Sequence, residues 1–174
     1  MLFKPFAFFA IALTAFSAVV EASALDDICD GTFHTSMTSL NDAKNFIMRM
    51  TPSAGDKVAP RFAKKVSLVA EEIGKIAEKL QDVGYLDPAD DQAVFDCYSD
   101  YFGNAYRVLR FAHDKGDWVH ETKPVIKAAL ELWKVAELNM SKQMVRLISR
   151  MWKPTFEVYG EQFEGGFNAT IAKY

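Results

Sequence analysis

The sequence predicts an all-α protein, an up-down four-helix bundle with an N-terminal helical hairpin extension. Two observations carry this prediction. Apolar residues recur at alternating spacings of three and four, which is the period of amphipathic helices that pack together. The alternation of apolar and polar residues that is typical of half-buried strands is nearly absent.

The first residues predict entry into the secretory pathway. Lys4 precedes an uncharged apolar run over residues 6–20, and the small residues Ala22 and Ala24 have the spacing of a cleavage site. A bilayer span needs about 20 apolar residues, so this run is too short to be a membrane anchor. We therefore expect residues 1–24 to be a signal peptide and the protein to be secreted and extracellular.

The remaining chain of about 150 residues has the length of one domain. We expect residues 25–55 to form the helical hairpin and residues 56–174 to form the bundle. The clearest helix covers residues 56–83, where Gly84 ends it, and Pro88 begins the next. The apolar seam of the helix over residues 56–83 consists of Phe62, Val66, Val69, Ile73, Ile76, Leu80 and Val83.

The helix that begins at Pro88 carries apolar residues around more than half of its circumference, which predicts a central position in the bundle. Core packing is the interpretation we favour for its aromatic residues, and the wall of a ligand pocket is the alternative. Its two adjacent stripes consist of Val94, Cys97, Tyr101, Ala105, Val108 and Ala112, and of Phe95, Tyr98, Phe102, Tyr106 and Leu109.

The C-terminal third predicts a helix over residues 118–138, a break at 139–141 and a second helix over 141–152. Residues 155–174 keep helical spacing between aromatic side chains. Glycine costs about 1 kcal/mol in a helix interior, and this segment contains three glycines. A fifth packed helix and a loosely attached tail therefore both remain open. The glycines are Gly160, Gly165 and Gly166.

Composition and motifs argue against several classes of function. The net charge is −3 with both signs mixed, so no basic stripe indicates nucleic acid and no long apolar helix indicates stable membrane insertion. Nucleophile, phosphate-loop and zinc motifs are absent from the sequence, so we predict no enzyme activity, no catalytic residue, no cofactor and no metal. Two histidines and two carboxylates could form a metal site only if they shared one helix face, which would require Gly116 to be helical. We therefore interpret them as solvent-exposed charges at a helix end. The four residues are His113, Asp117, His120 and Glu121.

The chain has two cysteines, Cys29 and Cys97, and secretion favours a disulfide between them. Two buried thiols and a covalent dimer are the alternatives. Two N-x-S/T sequons make Asn139 and Asn168 candidates for glycosylation.

Five stretches resemble the plant inhibitors of invertase and pectin methylesterase, which are secreted four-helix bundles preceded by a helical hairpin. Ile28-Cys29-x-x-Thr32 is similar to the hairpin's opening, and the helix over residues 56–83 occupies the position of the first bundle helix. Asp96-Cys97 followed by Tyr101 resembles the signature of the second helix. Lys115-Gly116-Asp117-Trp118 and Lys127-Ala128-Ala129-Leu130 resemble the turn and the helix that follow. The resemblance covers about residues 25–136.

The sequence also departs from that family, whose members carry four cysteines in two disulfides. The missing two would fall near Thr38 and Ala136, so Cys29 and Cys97 have both lost their family partners. Invertase inhibitors carry a proline-lysine-phenylalanine triplet where this chain has Trp118-Val119-His120. The resemblance therefore favours pectin methylesterase over invertase as the partner.

The inhibitor prediction implies a steric mechanism in which one face of the bundle covers the enzyme's cleft. Lys115, Asp117 and Trp118 are its candidate contacts, although Trp118 also suits a role in covering the core. Two alternatives remain: a secreted carrier of an apolar small molecule or lipid, and a secreted helical interaction or immune-type protein without catalytic activity.

Overall fold

The computed structural model describes residues 29, 31, 33–84, 86 and 88–174. The predicted signal peptide and the start of the predicted hairpin lie outside these residues. The described residues form helices and connecting turns without a strand, so the all-α prediction is confirmed. The helices are α1 His34–Arg49, α2 Gly55–Asp82, α3 Pro88–Lys115, α4 Lys123–Leu147 and α5 Lys153–Ile171, with a short 3₁₀ turn at Gly116–Trp118.

The helices pack in an order that differs from their order along the chain. α2 packs against α4, α4 against α5, and α5 against α3. α1 contacts both α2 and α3, so it bridges two helices that are consecutive in the sequence. All five helices therefore border one shared apolar core.

The apolar seam of α2 is buried as the spacing predicts. Phe62, Val66, Val69 and Ile73 are fully buried, and the rest of the seam follows them into the core. Burying a large apolar side chain contributes roughly 1.5–3 kcal/mol. This seam therefore gives α2 much of its stability within the bundle.

The predicted helix break at residues 139–141 is wrong, because α4 runs without interruption to Leu147. Met140, Ser141 and Met144 lie on the buried face of α4, which continues the face that carries Trp133. Packing along this face outweighs the weak helix propensity of Asn139 and Ser141.

The C-terminal segment forms a fifth packed helix, α5, despite its three glycines. Phe156, Phe163 and Phe167 are buried against the other helices. Their burial contributes roughly 1.5–3 kcal/mol each, which offsets a glycine cost of about 1 kcal/mol each.

The turn between α3 and α4 is held to the start of α2. The Oδ1 atom of Asp56 accepts hydrogen bonds from the backbone N–H of His120 at 3.2 Å and of Thr122 at 3.0 Å. It also accepts one from the Thr122 hydroxyl at 2.8 Å. The hydrogen bonds from Thr122 are the main cause of a lowered Asp56 pKa. The turn that contains Trp118 therefore has a fixed position relative to α2.

Candidate functional site

A carboxyl group lies inside the apolar seam of α4. Seven fully buried residues recur along this helix at spacings of four and three, and Glu137 is the only charged one among them. Burying an ionised carboxylate costs several kcal/mol unless it is paired or changes its protonation state. The seam consists of Ile126, Leu130, Trp133, Glu137, Met140, Met144 and Leu147.

Glu137 is hydrogen-bonded to tyrosines of α3. The Tyr101 hydroxyl donates to its Oε2 atom at 2.7 Å, and the Tyr98 hydroxyl lies 3.3 Å from Oε1. The Trp133 indole donates to the Tyr101 oxygen at 3.1 Å, and the Ser141 hydroxyl lies 3.1 Å from the Tyr98 oxygen. We call these five residues the polar cluster.

Burial determines the protonation state of the polar cluster. Desolvation raises the pKa of Glu137 to about 8, although the hydrogen bonds from Tyr101, Tyr98 and Trp133 act in the opposite direction. Burial, and then the charge of Glu137, raises the pKa values of Tyr98 and Tyr101 well above the usual range. Burial therefore favours the protonated, neutral form of Glu137 and the neutral forms of both tyrosines at pH 7.

Aromatic rings surround the polar cluster. Phe156 of α5 stacks on Tyr98 with ring centroids 4.9 Å apart, and Phe33 lies 5.5 Å from Tyr101. Tyr159 and Phe163 of α5 approach the same two tyrosines at 6.0 and 6.4 Å. The arrangement is apolar except for the neutral donors and acceptors at its centre, which is the composition of small-molecule sites.

A surface groove of about 370 Å³ between α4 and α5 reaches the polar cluster. Ser141 and Phe156, both buried, belong to its wall, so one residue of the polar cluster also borders the groove. We call it the α4–α5 groove. It is lined by Leu138, Ser141, Lys142, Val145, Phe156, Glu157, Gly160, Glu161 and Glu164.

The α5 segment along this groove is held mainly by ring packing. Between residues 153 and 165, the single interhelical hydrogen bond within the described chain joins Tyr159 to Ser99 at 3.4 Å. Hydrogen bonds tie the chain on both sides of this segment. Before it, the Ser149 N–H donates to Asp91 at 3.2 Å, and after it, the Tyr174 hydroxyl donates to the Ala112 carbonyl at 2.7 Å.

The predicted contact residues lie at the junction of α3, α1 and the C-terminus, away from the polar cluster. Lys115 donates to the carbonyls of Met48 and Met50 at 2.9 Å, and its ammonium lies 4.9 Å from the centre of the Trp118 ring. Trp118 packs against the core while partly buried, and Asp117 pairs with a lysine near the C-terminus. These contacts give all three a structural role, and their role in binding a partner stays a prediction.

The other predicted positions lie on the surface or at its margin. Cys29 and Cys97 are half-buried, and the disulfide between them stays a prediction. Asn139 and Asn168 are exposed, as glycosylation requires, and Asn168 accepts a hydrogen bond from Lys134. Among the described residues, no group of three or more histidine, cysteine or carboxylate side chains is placed to hold a metal ion.

Glu137 is not among the predicted site residues, although the sequence contains a signal for it. A continuous seam at spacings of four and three runs from Ile126 to Leu147 and has one charged member. The break predicted at residues 139–141 divides that seam, so its length and its single charged member are not evident. A charged residue at a core position of a long seam indicates a buried polar cluster.

No protein-family model matches this chain, and no curated protein matches it in sequence. No helix in the described part of the chain is long and apolar enough to cross a membrane. One solved structure has a similar fold: ligand binding domain 1 of the Penicillium marneffei MP1 protein, complexed with arachidonic acids. The alignment has a TM-score of 0.76 and 12% identity, and it covers 86% of this chain and 97% of that domain. The two proteins share their helical fold.

Proposed function

We propose that this protein is a carrier of an apolar ligand with a hydrogen-bonding head group. The neutral polar cluster inside an aromatic shell, bordered by the α4–α5 groove, is the observation that carries the proposal. The similar fungal domain is complexed with arachidonic acids, which supports a long-chain carboxylic acid or the corresponding alcohol as the ligand.

The cost of burying Glu137 supports a role beyond packing. An apolar side chain of similar size would fill the same position without desolvating a carboxyl group. In its neutral form the cluster offers both a donor and an acceptor, which suits a carboxylic acid or a hydroxyl head group. Ser141 belongs both to the cluster and to the wall of the groove, so we assign it the first contact with the head group.

The groove sets the size of ligand that enters without rearrangement. Its volume of about 370 Å³ lies near the lower end of the roughly 300–1,000 Å³ typical of small-molecule sites. A long acyl chain needs more space, which the middle of α5 provides by moving away from α4. Because that segment makes few hydrogen bonds, the contacts that this movement disturbs are mainly those of ring packing.

Ligand titration of the delipidated mature chain, residues 25–174, tests the proposal. We expect arachidonic acid and arachidonyl alcohol both to bind, with 1:1 stoichiometry by isothermal titration calorimetry. Ser141→Leu closes the groove at the cluster and should weaken both ligands at least tenfold. Ser67→Leu is the matched control, because Ser67 lines a separate groove between α2 and α4.

A second variant separates blocked binding from poor folding. Gly160→Leu fills the same groove from α5, where an added Cβ would meet Ser141 at 3.8 Å, an ordinary contact distance. Circular dichroism establishes that each variant is folded. Unchanged affinity in both folded variants, or no binding by the parent protein, would overturn the proposal.

The competing prediction is a secreted steric inhibitor of pectin methylesterase. It requires that the purified protein reduce the activity of that enzyme and that Trp118→Ala weaken the effect in a folded variant. The carrier requires neither result, so one enzyme assay with and without the added protein separates the two. Secretion, with a signal peptide over residues 1–24, is part of both proposals.

A further inference from the structure

A second pocket lies on the other side of α5, between α5 and α3. Its volume is about 200 Å³, and the pocket is separate from the α4–α5 groove because the two share no lining residue. It is lined by Tyr106, Leu109, Arg110, His113, Gly166, Ala169 and Thr170.

Small residues on α5 create this pocket. Gly166 faces the Tyr106 ring, and a Cβ at that position would lie 3.2 Å from the ring's Cε2 atom and 3.7 Å from Leu109 Cδ1. Ala169 adds only a methyl group one turn later. The pocket is therefore apolar where Tyr106 and Leu109 meet α5.

The polar groups of the pocket differ in whether they already have hydrogen-bond or ion-pair partners. The Thr170 hydroxyl already donates to the Gly166 carbonyl at 2.7 Å. Arg110 and His113 are three residues apart, so they lie on one face of α3. Within the described residues, Arg110 takes part in no hydrogen bond or ion pair, while His113 lies 3.4 Å from the exposed carboxylate of Asp114. The Arg110 guanidinium is the group available to an incoming anion.

We propose that the pocket between α3 and α5 binds a small carboxylate with a compact apolar body. Arg110 binds the carboxylate, since guanidinium and carboxylate form paired, charge-assisted hydrogen bonds. Tyr106 and Leu109 contact the apolar body. A cavity of about 150 Å³ accommodates benzene, so this slightly larger pocket suits one aromatic ring or a chain of about six to eight carbons. The inference does not depend on the proposed carrier function.

Two matched pairs of probes test the assignment. 3-Phenylpropionate and octanoate have the proposed chemistry, and 3-phenylpropanol and octanol lack the carboxylate. We expect both acids to shift the amide NMR signals of residues 106–113 and 166–170 and to bind at least tenfold more tightly than the alcohols. Arg110→Gln should remove this preference, leaving acid and alcohol with equal affinity. Arg107→Gln is the matched control, because Arg107 is exposed on the same helix outside the pocket.

Filling the pocket with a larger side chain provides an independent test. Ala169→Leu, at an exposed position of α5, fills the pocket and should abolish the shifts that all four probes cause at residues 106–113. Ser141→Leu should leave the acid-induced shifts at residues 106–113 and 166–170 unchanged, so failure of this site and failure of the carrier proposal are distinguishable. Equal acid affinity in the parent protein and Arg110→Gln, or shifts confined to the α4–α5 groove, would overturn the inference.

Discussion

Replacing Gly55 with alanine is expected to destabilise the protein by about 3 kcal/mol or more. A Cβ at this position would overlap the Trp118 carbonyl oxygen and lie 2.7 Å from the Trp118 carbonyl carbon. Overpacking typically costs roughly 1–3 kcal/mol. We expect the upper end or beyond, because backbone atoms cannot rotate away and the hydrogen bonds of Asp56 hold the same turn in place.

Gly74→Ala is the matched control for Gly55→Ala. Gly74 lies in the same helix, α2, and nothing lies within 4 Å of an added Cβ. Alanine at such a site should stabilise the protein by about 0.4–1 kcal/mol. Chemical denaturation of both variants measures the free energy of unfolding. Similar midpoints for the two variants would mean that α2 and the Trp118 turn are not in contact.

Replacing Glu137 with glutamine is expected to remove a large pH-dependent component of stability. Burial raises the pKa of this carboxyl from 4.5 to about 8, so the folded state binds a proton more tightly than the unfolded state. The contribution of the Glu137 carboxyl to folding stability is complete below about pH 4.5 and is lost progressively as the pH rises through 8. The total reaches about 5 kcal/mol, since one pKa unit corresponds to about 1.4 kcal/mol.

The amide cannot ionise, so Glu137→Gln should become more stable relative to the parent protein as the pH rises. At pH 5 the carboxyl is neutral and the substitution changes one hydrogen bond. We therefore expect the free energies of unfolding of the two proteins to differ by roughly 1 kcal/mol at that pH. At pH 9 the variant should be the more stable by several kcal/mol. Denaturation at a series of pH values measures this difference, and a constant difference from pH 5 to 9 would show that Glu137 does not titrate with a raised pKa.

Local periodicity is enough to predict most helices of this fold. The seam of α2 identifies that helix and its buried face, because spacings of three and four persist over seven apolar positions. The order in which the helices pack is harder to predict from the sequence. α2 and α3 are consecutive, yet α1 bridges them, and this arrangement depends on how whole helix faces fit together.

The candidate site depends on contacts between distant parts of the chain. Glu137 is separated from Tyr98 by 39 residues and from Tyr101 by 36. The seam of α4 indicates that a carboxyl group is buried, but it does not indicate which hydroxyl groups meet it. Similarly, the glycines of α5 suggest a weak helix until the burial of its phenylalanines is known.

The absence of interhelical hydrogen bonds from most of the groove-lining part of α5 has a kinetic consequence for a carrier. Rings can slide past one another, whereas the tied flanks at Ser149 and Tyr174 keep the helix in place. Ligand exchange would then be limited by transient opening of the middle of α5, around Gly160. Association rates should therefore vary little with acyl-chain length even where affinities differ, and the amides near Gly160 should exchange with deuterium faster than those of either flank.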